Sequence, residues 1–355
     1  MTETGILDQI ALGYSPMIDR QRNVVATRLT VFALRPEAPL DAAQLLQMVD
    51  GVWPADGARV ALNVLSEPLL RDLLAARPPA NVMIEVPSFM ATDAALAPAL
   101  EALRAGGSTL MLRGRPASEL PAEVLPCFKH SIVDVEDDRR SAGSSAPKGV
   151  TRSITHLQSG VRTLADMEAA FQRGAFAVLG WPIDDAAVQP GRKKAQHDLQ
   201  VIVELMQRLD AEEPVEKLDN TLRRDPTLAF KLMRYINSPA FGLRVEINSF
   251  RHAIMLLGYK KLRRWLALLL ATAGNDANLR PVMYAAVRRG LLMEELARGS
   301  GDEEMRNELF ICGVFSLLDK MMGEPFADLM KTIPVPDRVR DALADGSGPY
   351  VPYVA

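Results

Sequence analysis

The chain reads as an α/β barrel followed by an all-helical domain, and two patterns predict it. Through the first half, short runs rich in valine and leucine alternate with helical stretches, the mark of parallel βαβ units whose strands are buried on both faces. From about Leu222 the apolar residues instead recur at helical spacing, as they do where one helix face packs on a core.

Seven strands are expected in the first half: Asn23–Phe32, Arg59–Leu65, Asn81–Val86, Thr109–Leu112, Ser131–Val135, Ile154–Leu157 and Ala175–Leu179. Helical pieces such as Ala91–Ala105 and Leu164–Arg173 lie between them. So many βα repeats favour a closed barrel over an open sheet, and periodicity alone does not decide between them. Asp137–Val150 is polar, small and glycine-rich, and reads as a surface loop. Trp181-Pro182 and the stretch after it, with Pro190-Gly191 and three basic residues, mark a junction. The expected domains are 1–187 and 196–355, joined by a linker at 188–195.

In the second half, Asp225-Pro226 is a cap followed by proline at the first helical position, where a missing N–H costs nothing. Leu228, Leu232, Met233 and Ile236 then form one stripe, which Asn237-Ser238-Pro239 ends. Ser249 caps a second helix, Gly258 breaks it, and a third runs from Tyr259 through Leu262, Trp265, Leu266 and Leu269. Pro281–Arg298 and Met305–Met322 are further helices.

At 355 residues the chain is long enough for two cores. The net charge is −3, but residues 1–190 carry 17 Lys/Arg against 22 Asp/Glu and residues 191–355 carry 24 against 22. Ten basic residues fall within Thr221–Arg264, opposed only by Asp225 and Glu246. Two cysteines, Cys127 and Cys312, make no disulfide framework, so a reducing cytoplasm is expected. The start, MTETGILDQ, shows no signal peptide. The most apolar run, Trp265–Ala273, is under half a bilayer span. A protein without a membrane segment is expected.

The second half is similar to HDOD domains, helical modules related to HD-type phosphohydrolases but without their metal ligands. DPTLAFKLMRYINSPAFG, INSFRHAIMLLG and KKLRRW carry the resemblance, with ELFICGVFSLLDKMMG and PVPDRVRDAL later in the chain. It implies a further helix beyond the terminal GPYVPYVA. The first half resembles EAL domains, barrels that hydrolyse cyclic di-GMP, through GYSPMIDRQRNVVATRL, ALNVLSEPLL, NVMIEVPS, SIVDVE and the SGVRT…FQRGAFAVLGWP ending. Together they resemble the EAL–HDOD, or YuxH-like, bacterial signalling proteins.

Hydrolysis by such a barrel needs carboxylates that hold two cations and activate a water. By the resemblance, Arg28 stands where the glutamate of the name motif belongs, and Arg113-Gly114 where paired aspartates belong. Asp134 replaces a catalytic lysine, Ser159 and Arg162 replace glutamates, and Ser15 replaces a nucleotide-contacting glutamine. Asn63 and Glu85 persist as vestiges, expected to pair with Arg28 or Arg113 rather than to hold metal. The barrel is therefore expected to be degenerate, with no catalytic residue, metal or cofactor, and binding of cyclic di-GMP is disfavoured.

Of the four histidines, His130, His156, His197 and His252, only the last two fall in the helical half. His197-Asp198 lies at its entry, not on a helix core. Asp319 has no histidine beside it and reads as a packing or polar-contact residue; Cys312 reads as core. Three readings of the basic segment stand: a solvated face, a docking groove for an acidic protein or for the acidic first domain, and a nucleic-acid contact. The third is disfavoured, because the helix after Gly258 turns apolar beyond Arg264 and the chain as a whole is slightly acidic.

The sequence thus leads to a non-catalytic scaffold that acts through protein–protein contact in cyclic di-GMP-linked regulation. A groove around Arg234, Asn237, Phe241 and Arg244 would receive the protein partner, and a homo-oligomer is open. The alternatives are a residual cyclic di-GMP phosphodiesterase or nucleotide receptor, and a nucleic-acid-binding regulator using the basic segment.

Overall fold

Eight strands close on themselves in order in the computed structural model, which describes residues 5–35, 39–138, 154–185, 193–224, 228, 232, 236–237, 250–272, 277–333 and 335–354. The strands are β1 (Ile10–Asp19), β2 (Val24–Ala33), β3 (Arg59–Val64), β4 (Val82–Pro87), β5 (Thr109–Arg113), β6 (Phe128–Asp134), β7 (Thr155–Val161) and β8 (Ala177–Gly180). From β2 to β8 every neighbour is parallel, while β1 runs antiparallel to both β2 and β8 and closes the ring. The alternation of strand and helix is therefore a barrel, not an open sheet.

β1 is absent from the seven strands expected. Gly13 and Pro16 interrupt its β-like pattern, and proline is normally excluded from paired strands. Here Pro16 sits opposite Thr27 in an antiparallel ladder, in which only alternate N–H groups bond to a given neighbour.

Four helices cover the barrel wall: α1 (Ala42–Val52), α2 (Glu67–Ala75), α3 (Ala97–Ala105) and α4 (Leu164–Gln172). Their starts follow local chemistry. Asp41 accepts from the Ala43 and Gln44 amides, Ser66 from Leu69, and Thr163 from Asp166, each meeting donors that a helix start leaves without partners. The apolar faces of α1, α2 and α3 join the outward faces of the strands in one core, with Leu45, Leu62, Leu73, Ile84 and Leu100 fully buried, while Met167, Ala170 and Phe171 of α4 pack in a smaller cluster with Ile18, Val161 and Val178. A separate cluster fills the lumen: Met17, Ala26, Ala61, Met83, Met111, Ile132, Leu157, Ala177 and Leu179.

The chain divides into two units, Met1–Asp185 and Ala186–Ala355. The second contains α5 (Lys193–Asp210), α6 (Val215–Arg223), α7 (Phe250–Thr272), α8 (Arg280–Leu296) and α9 (Glu303–Phe315) among its helices. α5 begins at Lys193, inside the stretch expected as linker; lysine, alanine and glutamine are good helix formers and extend the helix whose buried side is Ile202, Leu205, Met206 and Leu209. Leu228, Leu232 and Ile236 are helical and buried, as their spacing requires. Gly258 splits α7 with φ 69° and ψ 165°, a conformation that glycine adopts without steric cost. α8 crosses α9 at Gly290 and Gly313, where a Cβ on Gly313 would lie 2.6 Å from the Gly290 Cα. Cys312 is fully buried, and burial pushes its thiol up to about 12. No helix among the described residues is long and apolar enough to cross a membrane.

Candidate functional site

A strand's side chains alternate between faces, so each lumen residue fixes what stands two positions later at the C-terminal mouth. Ala26 leads to Arg28, Ala61 to Asn63, Met83 to Glu85, Met111 to Arg113, Ile132 to Asp134 and Leu157 to Ser159. The closed strand order carries these positions round the mouth as a ring, in which Asp134 lies beside Ser159 while Arg28 and Arg113 each pair in the ladder with the lumen residue of the next strand, Ala61 and Ile132. In barrels of this class chemistry sits at that end.

The ring's chemistry is dominated by one ion pair. Arg28 Nε and Nη2 donate to Glu85 Oε1 and Oε2 at 2.6 and 2.7 Å. Glu85 is fully buried and the Arg28 side chain only 16% exposed, so both carboxylate oxygens are engaged by a guanidinium away from water, the strongest protein geometry for such a pair. Arg113 lies one strand further. Burial draws its pKa below the usual value, with Arg28 adding to the effect and Glu85 opposing it; its Nε is buried without a hydrogen-bond partner. Asn63 donates to Thr30 Oγ1 at 3.2 Å, leaving its Oδ1 buried without a partner. Asp134 accepts from Ser159 Oγ at 3.0 Å and from the Glu136 amide. Ser15 pairs with Arg28 in the β1–β2 ladder. Arg162 stands apart, with its side chain 78% exposed and 3.0 Å from Asp184.

Two divalent cations at such strand ends would need several oxygen ligands each, carboxylates among them. The residues present do not fit that pair. Glu85 is taken up by Arg28, Arg113 adds a second positive charge to the ring, and Asp134 is the other carboxylate. Among the described residues no group of three or more His, Cys, Asp or Glu side chains is placed to hold a metal ion.

Of the groove residues, Arg234, Phe241 and Arg244 lie outside the described residues, as do the Asp225-Pro226 cap and most of the Asp137–Val150 loop. Asn237 is a half-buried turn residue. His252 is exposed; the side chain of His197 lies outside the description. Within the basic segment, acids from other helices meet four residues. Arg224 lies 3.7 Å from Glu204, Arg263 bonds Asp210 at 2.9 Å, and Arg251 bonds Glu216. Arg264 makes two 2.7 Å bonds to Glu294 and stacks over the Phe310 ring at 3.8 Å. Four of the ten basic residues of this segment are thus offset by acids among the described residues.

Sequence reasoning missed the other end of the barrel. His130 and His156, both buried, stand near the strand starts of β6 and β7 beside a cavity that also takes in Arg59, Lys129 and Phe176. The signal was available two positions before each lumen residue, because the same alternation that leads to the mouth also leads to Arg59, His130 and Thr155.

Residues 198–326 match the HDOD domain model. The chain is similar to the uncharacterized protein YuxH of Bacillus subtilis, 26% identical over 204 residues, 56% of this chain and 49% of that protein. It is also similar to the cyclic di-GMP phosphodiesterase CdgJ of Vibrio cholerae, 27% identical over 133 residues, 38% of this chain and 31% of that one. The chain therefore spans half or less of the length of these curated relatives. Among solved structures, it is similar to Klebsiella pneumoniae BlrP1 in a calcium and cyclic di-GMP complex, with 17% identity and a TM-score of 0.34 over 52% of this chain and 57% of that one. A standalone EAL protein of Vibrio cholerae O395 is similar over 52% of this chain and 93% of its own, with 15% identity and a TM-score of 0.35.

Proposed function

From the premise that this chain joins an EAL-type barrel to an HDOD domain, we propose that it is a non-catalytic member of cyclic di-GMP signalling that works by binding other proteins. One observation carries the reading: the Glu85 carboxylate, which would have to grip a cation, is held by both nitrogens of Arg28. A guanidinium stays charged at any working pH. It therefore supplies a fixed positive charge where a metal would sit, without a water to activate. Arg113 makes entry of a divalent cation less favourable still, since like charges at short range in a partly buried site repel strongly.

The HDOD domain is the part proposed to receive a protein partner, and the barrel to serve as scaffold. The offsetting of Arg224, Arg251, Arg263 and Arg264 by acids weighs against a nucleic-acid surface, which needs cations available to phosphates. A second reading, a residual cyclic di-GMP phosphodiesterase, has one support in the name of CdgJ. Incubating the full chain with cyclic di-GMP and Mg²⁺ or Mn²⁺ separates the two. No turnover is expected; turnover that disappears in Glu85→Ala would defeat the scaffold reading.

A further inference from the structure

The floor of the barrel, at the N-terminal ends of its strands, is open where most such lumens are packed. Its lumen side is formed by Met17, Ala26 and Met83, and the short side chain of Ala26 leaves room there. The result is a cavity of about 610 Å³, a size that suits a small molecule.

Its polar groups are not spent equally. Arg20 donates to the carbonyls of Phe171 and Ala175, and Asp19 accepts from the Asn23 amide and side chain. Arg59 and Lys129 are exposed at the cavity and have no hydrogen-bond or ion-pair partner among the described residues. His130 is buried, with its ring stacked on Phe176 at 5.7 Å, and Phe176 is 52% exposed. The tautomer of His130 follows from its neighbour. Thr155 Oγ1 donates its one hydrogen to the Lys129 carbonyl at 3.3 Å, so it accepts from His130 Nδ1. His130 Nε2 is then an acceptor with no hydrogen-bond partner among the described residues, on a ring that lines the cavity. Burial first, with Lys129 and Arg59 beside it, lowers the ring's pKa to about 4, so the ring is neutral at pH 7.

We infer that this floor binds a small anion with a flat ring that carries a hydroxyl or amine donor. The anionic group meets Arg59 and Lys129, the ring lies beside Phe176, and the donor reaches His130 Nε2. A cationic ligand is repelled by the two head groups, and an aliphatic anion leaves the aromatic wall and the acceptor unused. This site lies at the opposite end of the barrel from the Arg28–Glu85 ring and does not depend on what that ring does.

The test uses the full chain with 4-hydroxybenzoate as probe, followed by calorimetry and by amide chemical-shift mapping. Benzoate (no donor), inorganic phosphate (no ring) and benzamidine (reversed charge) serve as comparisons. Saturable 4-hydroxybenzoate binding is expected, with shifts confined to the starts of β3, β6, β7 and β8. Benzoate should bind several-fold more weakly, and phosphate and benzamidine more weakly again. The double variant Arg59→Glu/Lys129→Glu, changed only at exposed side chains, should weaken binding by about tenfold or more, since charge-assisted hydrogen bonds are the strong ones. Phe176→Ala should also weaken it. No binding up to about 10 mM, shifts at the barrel mouth, binding untouched by charge reversal, or phosphate or benzoate binding as well as the probe would each overturn the inference.

Discussion

Arg28 and Glu85 act as one unit, and their energetics distinguish a structural pair from two independent residues. Taking both charges out of water is costly, and the fit of the fork on the carboxylate offsets that cost. Removing one partner leaves the other buried alone. Glu85→Gln should therefore lower unfolding free energy by about 3–5 kcal/mol, whereas Arg28→Leu/Glu85→Leu should recover much of that loss. Urea unfolding of the parent, Glu85→Gln, Arg28→Leu and the double variant checks this; a double-variant loss equal to the sum of the two single losses would mean that the two charges do not depend on each other. His130 gives a second test. Its folded pKa, lowered to about 4, lies below the unfolded value near 6.5, so between those values the unfolded chain binds more protons. Stability should then fall as pH drops from about 6.5 towards 4, by up to about 1.4 kcal/mol per pH unit from this group. A His130→Gln variant should show a shallower decline over that window than the parent chain. Identical slopes would remove His130 as the cause.

At the scale of elements, glycines mark where backbones must approach or turn. Gly313→Ala drives a methyl into the α8 backbone at Gly290 and should cost about 1–3 kcal/mol, the usual penalty of overpacking. Gly258→Ala places a side chain on a positive φ and should cost a similar amount, about 1–3 kcal/mol, with loss of helical signal if the two halves of α7 separate. Thermal unfolding with far-UV circular dichroism reads both; parent-like midpoints would contradict the close crossing or the turn. Gly258 was legible in sequence because it interrupts two apolar stripes. The Gly290–Gly313 contact was not, since its residues lie on different helices and only folding brings them together. β1 was hidden for a local reason, its Gly13 and Pro16, while the seven parallel strands announced themselves through runs of valine, leucine and isoleucine buried on both sides.

For the molecule as a whole, the barrel mouth was the more legible end. Its residues sit in motifs whose order can be followed along the chain, and Arg28, Asn63, Glu85 and Arg113 do converge there. What no motif could give was the partner each side chain takes, because that depends on which strands become neighbours across the ring. The floor was illegible for a different reason. Arg59, Lys129, His130 and Phe176 are unremarkable singly, and a lone histidine in a strand reads as core until folding sets it beside a cavity. The Arg28 guanidinium takes both oxygens of Glu85, which a metal pair would need. Titrating the full chain with Mn²⁺ and following free ion by electron paramagnetic resonance tests this most directly. The prediction is no stoichiometric binding that changes in Glu85→Ala; two bound equivalents, lost in that variant, would contradict it.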